Sequence, residues 1–357
     1  MSHGTVPNNA RKELNRFLPL IIFATLIAFG TPTLFQKGLW LTVLTQAVIY
    51  SIASLGVGLL YGRLGMVSLA NYALFGVGGW VALRLSFLGS IPVVLCMLLG
   101  GAFAALIGTI VGLPALRVRG LYLALITLMA AGAFYVVINA IGFPDGGSGF
   151  DGRGGVYNRR KMPKPSFAHS DVAYFRFAVA MAALSFVLVV FHLRSKPGRA
   201  WAMIRRSQAA AYASGVNITQ YKTWAFALAG FLSGVAGGLS AGYTGQLNTL
   251  DFRASASMLL FALAVSAGSY HLLGAVIAGV LAKVLPTIFT EWGISGDVAN
   301  IIFGILLMIS LTSAPEGAAG ALIGLWHAIV GKVRRRPVDP DAAGEPAGVA
   351  EAAGVPT

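Results

Sequence analysis

The chain has 357 residues, of which 57% are hydrophobic and only 11% charged. A soluble domain carries roughly 25% charge, so the chain lacks the polar surface to coat a water-soluble globule, and a lipid-facing exterior is the consistent alternative. The net charge of +14 would suggest nucleic acid in a soluble protein, but in a membrane protein basic residues orient the spans, and no nucleic-acid partner is implied.

A helix needs about 20 apolar residues to cross the hydrocarbon core. Ten segments meet that need: 17–35, 39–61, 66–86, 90–113, 119–141, 173–193, 222–244, 254–269, 272–290 and 297–313. The eighth is short, and the third is interrupted by glycines and polar residues. The expected fold is an all-α integral membrane protein of about ten transmembrane helices. Arg11, Lys12 and Arg16 precede the first segment as they would a signal peptide, but the run continues into Thr31-Pro32-Thr33 with no A-x-A-like cleavage site. It reads as a retained span behind a cytoplasmic N-terminal segment, 1–16.

Ten spans place both termini on one side. Sixteen of the 26 basic residues share that side, including Arg63, Arg117, Arg119 and the cluster at 194–222. The bias makes it cytoplasmic. The transmembrane domain then covers 17–317. Beyond it lie an apolar piece, 318–330, and Lys332 with Arg334–Arg336, together a juxtamembrane segment over 318–336. An eleventh crossing would put those basic residues outside, so a surface or re-entrant helix is expected. The tail, 337–357, is rich in Pro, Ala, Gly and acid, a disordered composition.

Ser68, Asn71 and Tyr72 fall in the glycine-broken third segment. Polar residues and loosened backbone at membrane depth are tolerated inside protein or along a cavity. These three residues either line a translocation path or serve as interhelical hydrogen bonders. The external loop, 142–172, mixes glycines with Arg159-Arg160-Lys161 and Asp145, Asp151 and Asp171. It is either a docking surface for an external protein or a solvated loop. Over 194–222, Pro197-Gly198 signals a turn, and Arg199–Ala213 reads as one helix with Trp201, Ile204 and Ala211 as apolar points. Gly215 suits its C-terminus. Such a cytoplasmic helix either fills a partner's groove or lies on anionic lipid.

Gly230, Gly234, Gly238 and Gly242 recur every fourth residue and make one flat helix face for close packing, within the chain or against a second subunit. Lys283 is the only basic residue well inside a span. A buried charge there costs at least about 2.5–3.5 kcal/mol on insertion scales. It either attracts a carboxylate, of a substrate or of another subunit, or snorkels to the outer interface with Pro286 nearby. The single cysteine, Cys96, lies in an apolar run and reads as a packed core residue. No Gly-x-x-x-x-Gly-Lys-Ser/Thr loop is present, so the chain is not expected to bind ATP or another cofactor itself. No HExxH motif or clustered acids appear and the five histidines are scattered, so neither catalytic residues nor a metal site is expected.

Four stretches, in order, carry a family resemblance. They are Tyr61-Gly62-Arg63-Leu64-Gly65-Met66-Val67-Ser68-Leu69-Ala70-Asn71-Tyr72, Arg117-Val118-Arg119-Gly120-Leu121-Tyr122, the glycine-rich run from Phe143 to Gly152, and Gly198-Arg199-Ala200 through Ala209-Ala210-Ala211 to Gly215-Val216-Asn217. Over about residues 17–317 the chain resembles the permease subunits of ABC importers, and more narrowly the LivM-type permeases of branched-chain amino acid uptake. The resemblance implies that 194–222 is the segment that docks on an ATPase, carried here by Arg199, Arg205, Arg206, Ala210, Ala211 and Gly215. It also implies a second homologous permease, two cytoplasmic ATP-binding subunits and a periplasmic solute-binding protein as partners, beside membrane lipid. Met66, Ala70 and Asn71 stand where the family usually has Gln, Gly and His, and neither Gln208 nor Tyr212 is the acid that the docking segment usually carries there. Branched-chain amino acids are the family default; urea, other amino acids and aromatic acids stay open. A secondary transporter working without an ATPase would need paired intramembrane acids for its coupling ion. Asp251, Glu291 and Asp297 instead fall at span ends.

Overall fold

The computed structural model describes residues 30, 38–89, 91–115, 118, 120–147, 150–153, 160–293, 298, 301, 304–305, 308 and 317–320. The predicted first span, most of the tenth, and the tail lie outside the described residues. Within them the fold is all helical: α1 Leu39–Gly58, α2 Asn71–Phe87, α3 Val93–Ala115, α4 Leu121–Ile141, α5 Asp171–Arg194, α6 Lys196–Arg206, α7 Gln208–Ala213, α8 Ile218–Thr244, α9 Ala254–Ser266 and α10 Leu272–Glu291. Six of these are long and apolar enough to cross a membrane: α1 with its extension to Arg63, α3, α4, α5, α8 and α10; α9 is a shorter apolar helix.

α8 lies at the centre, with α1, α2 and α3 packed on it, and α5 and α10 pack on α1. Small residues make this possible. Gly237 lies against the backbone of α2, where an added Cβ would overlap the Phe75 carbonyl oxygen, and Gly78 of α2 meets the Gly234 backbone. The predicted stripe faces α3 within the same chain: a Cβ on Gly230 would lie 2.7 Å from the Ala104 carbonyl oxygen, and one on Gly238 3.0 Å from the Met97 Cα. Gly242 faces Met97 and the Tyr174 hydroxyl. Helices without side chains at the contact gain dispersion and backbone proximity, which is how helices associate where lipid removes any hydrophobic drive between them. On the outer side, α3 exposes Leu95, Leu99, Phe103, Leu106 and Ile110, and α4 exposes Leu121, Leu125, Met129 and Val136. Apolar stripes of this kind suit a lipid-facing surface.

Two local features depart from the simple span reading. α1 runs into a π-helical turn, Leu59–Arg63. There Gly62 leaves room for the Ser269 carbonyl, which a side chain would overlap. The turn stops at Gly65, at φ +70, where the Gly65 and Met66 N–H groups bond the Tyr61 and Leu60 carbonyls at 2.9 and 3.0 Å. Residues 65–70 are then non-helical, and α2 begins only at Asn71. The third predicted span, 66–86, is thus a non-helical stretch followed by a helix. The second departure is at Ser207. The single helix expected over Arg199–Ala213 is two, because Ser207 is extended (φ −159, ψ 120) and its hydroxyl accepts from the Ala210 N–H, capping α7.

Residues 317–320 are helical, and the Ala319 N–H bonds the Ala267 carbonyl at 2.9 Å. The start of the 318–330 piece therefore sits on the turn between α9 and α10; the rest of it lies outside the described residues.

Candidate functional site

In the non-helical stretch before α2, Met66, Ser68 and Ala70 are buried in protein, as is Asn71 at the helix start. Ser68 and Asn71 are each only 2% exposed. Among the described residues, neither the Ser68 hydroxyl nor either amide atom of Asn71 has a hydrogen-bond partner. The Ala70 side chain does not cap α2, so an uncapped helix start with its positive end of the backbone dipole lies beside these free polar atoms. The stretch is held by α4, where the Thr127 hydroxyl accepts from the Leu69 N–H at 2.9 Å. Thr127→Val keeps the side-chain shape and removes the acceptor of that half-buried N–H, a loss of about 1 kcal/mol. A lowered melting temperature in fluorescence-detected size-exclusion runs is the expected result; an unchanged one would mean that the stretch is held elsewhere.

Tyr72 closes one side of the stretch. Its ring stacks between Phe75 and Phe252, with centroids at 5.3 and 5.1 Å, and Phe143 packs on Phe252 at 5.2 Å. Its hydroxyl lies 2.7 Å from that of Tyr50 on α1. Lys283 of α10 places its Nζ 4.3 Å from the centre of the Tyr50 ring. Lys283 therefore turns toward α1, and the side chain folds inward where snorkelling was one of the sequence alternatives. Of the four predicted path residues, Ser68, Asn71 and Tyr72 are contiguous, and Lys283 joins them through Tyr50. The sequence reading did not single out Tyr50, Phe252 or Thr127. A tyrosine inside the second predicted span was the available signal for the first.

Beyond the aromatic stack lies a polar cavity of about 350 Å³, lined by Phe143, Asp145, Arg153, Gln246 and Asn248 among others. The described part of the 142–172 loop is anchored there. The Met162 N–H bonds the Gly245 carbonyl at 2.9 Å. Lys164 pairs with Asp171 at 2.6 Å and lies over the Tyr243 ring.

At the opposite end of the helices, α6 and α7 pack inward through Ala200, Trp201, Ile204 and Ala211, all buried. The Trp201 indole N–H donates to the Tyr221 carbonyl at 2.9 Å, tying α6 to the start of α8. Arg199, Arg206, Ala210 and Gly215 are exposed, as are Met203 and Tyr212. Of the residues predicted to meet a partner, Ala211 thus faces its own chain. Arg205 is also exposed, but its guanidinium donates to the Gly62 carbonyl in the π turn and lies 4.6 Å from the centre of the Tyr270 ring. Beside this segment runs a groove of about 790 Å³, lined by Thr109, Leu113, Pro197, Gln220 and Trp224 among others.

No group of three or more metal-ligating side chains occurs among the described residues. The family model described as the branched-chain amino acid transport system permease component matches residues 39–311. The high-affinity branched-chain amino acid transport system permease protein LivM of Salmonella typhimurium is 25% identical over 318 residues, which is 82% of this chain and 72% of the relative. The protein of the same description from Escherichia coli is 23% identical over 324 residues, 83% of this chain and 73% of the relative. No solved structure gives a significant match.

Proposed function

Because the chain belongs to the branched-chain amino acid transport permease family, we propose that it is one permease subunit of an ATP-driven importer for branched-chain amino acids or related small solutes in a bacterial inner membrane. It would pair with a second, homologous permease. One of two ATP-binding subunits would dock on α6 and α7 at the cytoplasmic end, and a periplasmic solute-binding protein would deliver solute to the end that carries the 142–172 loop. Both termini would be cytoplasmic. ATP binds to the partners, and no cofactor is assigned to this chain.

The observation that carries the reading is the interrupted segment at 65–72. A broken helix whose uncapped start, free hydroxyl and free amide are enclosed by protein is the arrangement that transporters use to meet polar solute at membrane depth. Arg205 supports the energised version, because it links the α6–α7 segment to the π turn leading into that stretch. Closure of the ATPase pair would pull α6 and α7, and the pull would reach residues 65–72 through Gly62.

Uptake of radiolabelled leucine by cells that express the complete set of subunits tests the proposal. Import should stop when cellular ATP is depleted and continue when a protonophore alone collapses the proton gradient at maintained ATP. Import that follows the proton gradient would replace it with secondary transport. Absence of leucine, isoleucine and valine uptake beside uptake of urea or aromatic acids would keep the mechanism and change the solute.

A further inference from the structure

The charge on Lys283 has no counter-charge among the described residues. α10 is apolar around it, and the residue stands eight positions before the helix ends at Glu291. Among the described residues no acid lies within ion-pair distance of Lys283; its ammonium rests on the face of the Tyr50 ring at 4.3 Å. A cation on an aromatic face is attracted by the ring quadrupole, whereas a lysine within a membrane span is costly unless it finds a full charge. The neutral ring holds the ammonium and leaves its charge unneutralised. Gly279, one turn earlier, packs against Ala47 and Ser51 of α1, so the Lys283 face of α10 is turned toward the other helices.

Polar groups adjoin Lys283 through Tyr50 and along its own helix. The Tyr50 hydroxyl lies 2.7 Å from the Tyr72 hydroxyl. Only one of the two protons is used between them, so the pair keeps one O–H free to donate. Tyr72 follows Asn71, whose amide is buried and unpartnered. Pro286 lacks an N–H and so leaves the Ala282 carbonyl, beside Lys283, without its usual helical donor. The site thus has a cation, a phenol donor and loosened helix backbone on the approach to the interrupted segment.

We infer that Lys283, with the Tyr50–Tyr72 hydroxyl pair, is a carboxylate-binding station in the solute path, where the ammonium leaves the Tyr50 ring to pair with the carboxylate of a passing amino acid. The inference rests on the importer reading and adds to it a residue and a ligand group. A carboxylate offers the ammonium a full charge where the ring offers a quadrupole, so the exchange is favourable while the solute is present. The ring receives the ammonium again when the solute leaves, so that the cation is never bare between cycles. Weak, reversible capture is what a path requires.

The single cysteine of the chain is Cys96, and it is buried, which allows a chemical test. In a Cys96→Ala background that retains leucine uptake, Lys283→Cys should lower uptake by about thirtyfold or more, the loss expected when one partner of a desolvated charge pair is truncated. An aminoethyl methanethiosulfonate adds an ammonium on a short stem and should restore most of the uptake. A sulfonatoethyl methanethiosulfonate adds a negative charge and should restore none. L-Leucine should slow the aminoethyl reaction, followed by mass, and leucinol, which has no carboxylate, should not. Lys283→Arg should keep most of the uptake and Lys283→Met should lose it, with both complexes assembled. Full uptake by Lys283→Cys or Lys283→Met, failure of either reagent to attach, or equal rescue by both reagents would overturn the station. Uptake by the unmodified chain that follows the proton gradient and not ATP would instead overturn the importer reading, and the protection by leucine over leucinol would still decide carboxylate recognition.

Discussion

Replacing Gly234 with leucine is expected to remove folded protein from the membrane. At this position α2, α3 and α8 meet without side chains. An added Cβ would overlap the Ala104 Cβ and lie 2.9 Å from the Gly101 Cα and 3.0 Å from the Gly100 carbonyl oxygen. Gly78 of α2 presses its backbone on the same residue. Most of these neighbours are backbone, so relief requires whole helices to separate. Overpacking that side chains can absorb costs about 1–3 kcal/mol. Here the cost is larger and is set against a total stability of about 5–15 kcal/mol. Gly132 of α4 supplies the control, since nothing lies within 4 Å of a Cβ built there. With a fluorescent fusion in size-exclusion chromatography, Gly234→Leu should lose the monodisperse peak and Gly132→Leu should keep it. Equal peaks from the two would show that the glycine face is not a tight contact.

The second large effect is on transport, with the fold left intact. Gly215 ends α7 at φ +76, and its N–H bonds the Tyr212 carbonyl at 2.9 Å. Proline fixes φ near −65° and has no N–H, so Gly215→Pro must redirect the chain between α7 and α8. Space is open around this residue, so the change stays local. Arg205→Glu acts differently. It replaces a donor to the Gly62 carbonyl with an acceptor and removes the cation from the Tyr270 ring. Loss of a charged hydrogen bond is worth about 1.5–3 kcal/mol. Uptake should fall by about tenfold or more in either variant, with the protein still inserted in the membrane. Arg206, which is exposed, separates docking from transmission. Arg206→Glu should lower the amount of ATPase recovered with the chain, whereas Arg205→Glu should keep the ATPase bound and hydrolysing without import. Unchanged uptake in Gly215→Pro and Arg205→Glu would remove the coupling role from this segment.

The long spans were legible because lipid imposes one requirement on every spanning segment, a continuous apolar helix. The predicted 39–61 and 222–244 fall on α1 and α8 within a few residues of their ends. The glycine row of α8 was legible for the same kind of reason, since a spacing of four on a helix defines one face. Its neighbour Gly237 stands off that row and packs on a different helix, α2. Choosing α3 or a second subunit as the partner of the row required tertiary structure. The break at Ser207 was hidden because Ala209–Ala213 favours continued helix. The competing local bond from the Ala210 N–H to the Ser207 hydroxyl oxygen, at 3.3 Å, decides against it.

The functional site was legible in part. Asn71 and Ser68 stood out as polar residues in a glycine-interrupted span, and their chain order alone put them together. Lys283 stood out as a charge in an apolar helix, but neither direction of its side chain followed from the sequence. Tyr50 joins it to Tyr72 across three helices, and no spacing rule connects residues so far apart. Arg205 was read as a surface cation of the docking segment. Its reach to Gly62 depends on the π turn, which widens the end of α1 where a regular helix was expected.

Mild-detergent extraction of the tagged chain from its native membrane, with the co-purifying proteins identified by mass, tests the importer assignment most directly. A second, homologous permease and ATPases bearing the Gly-x-x-x-x-Gly-Lys-Ser/Thr loop should accompany it. Repeated recovery of the chain alone, from material that still transports, would contradict an ATP-driven assembly and leave a transporter that works by itself.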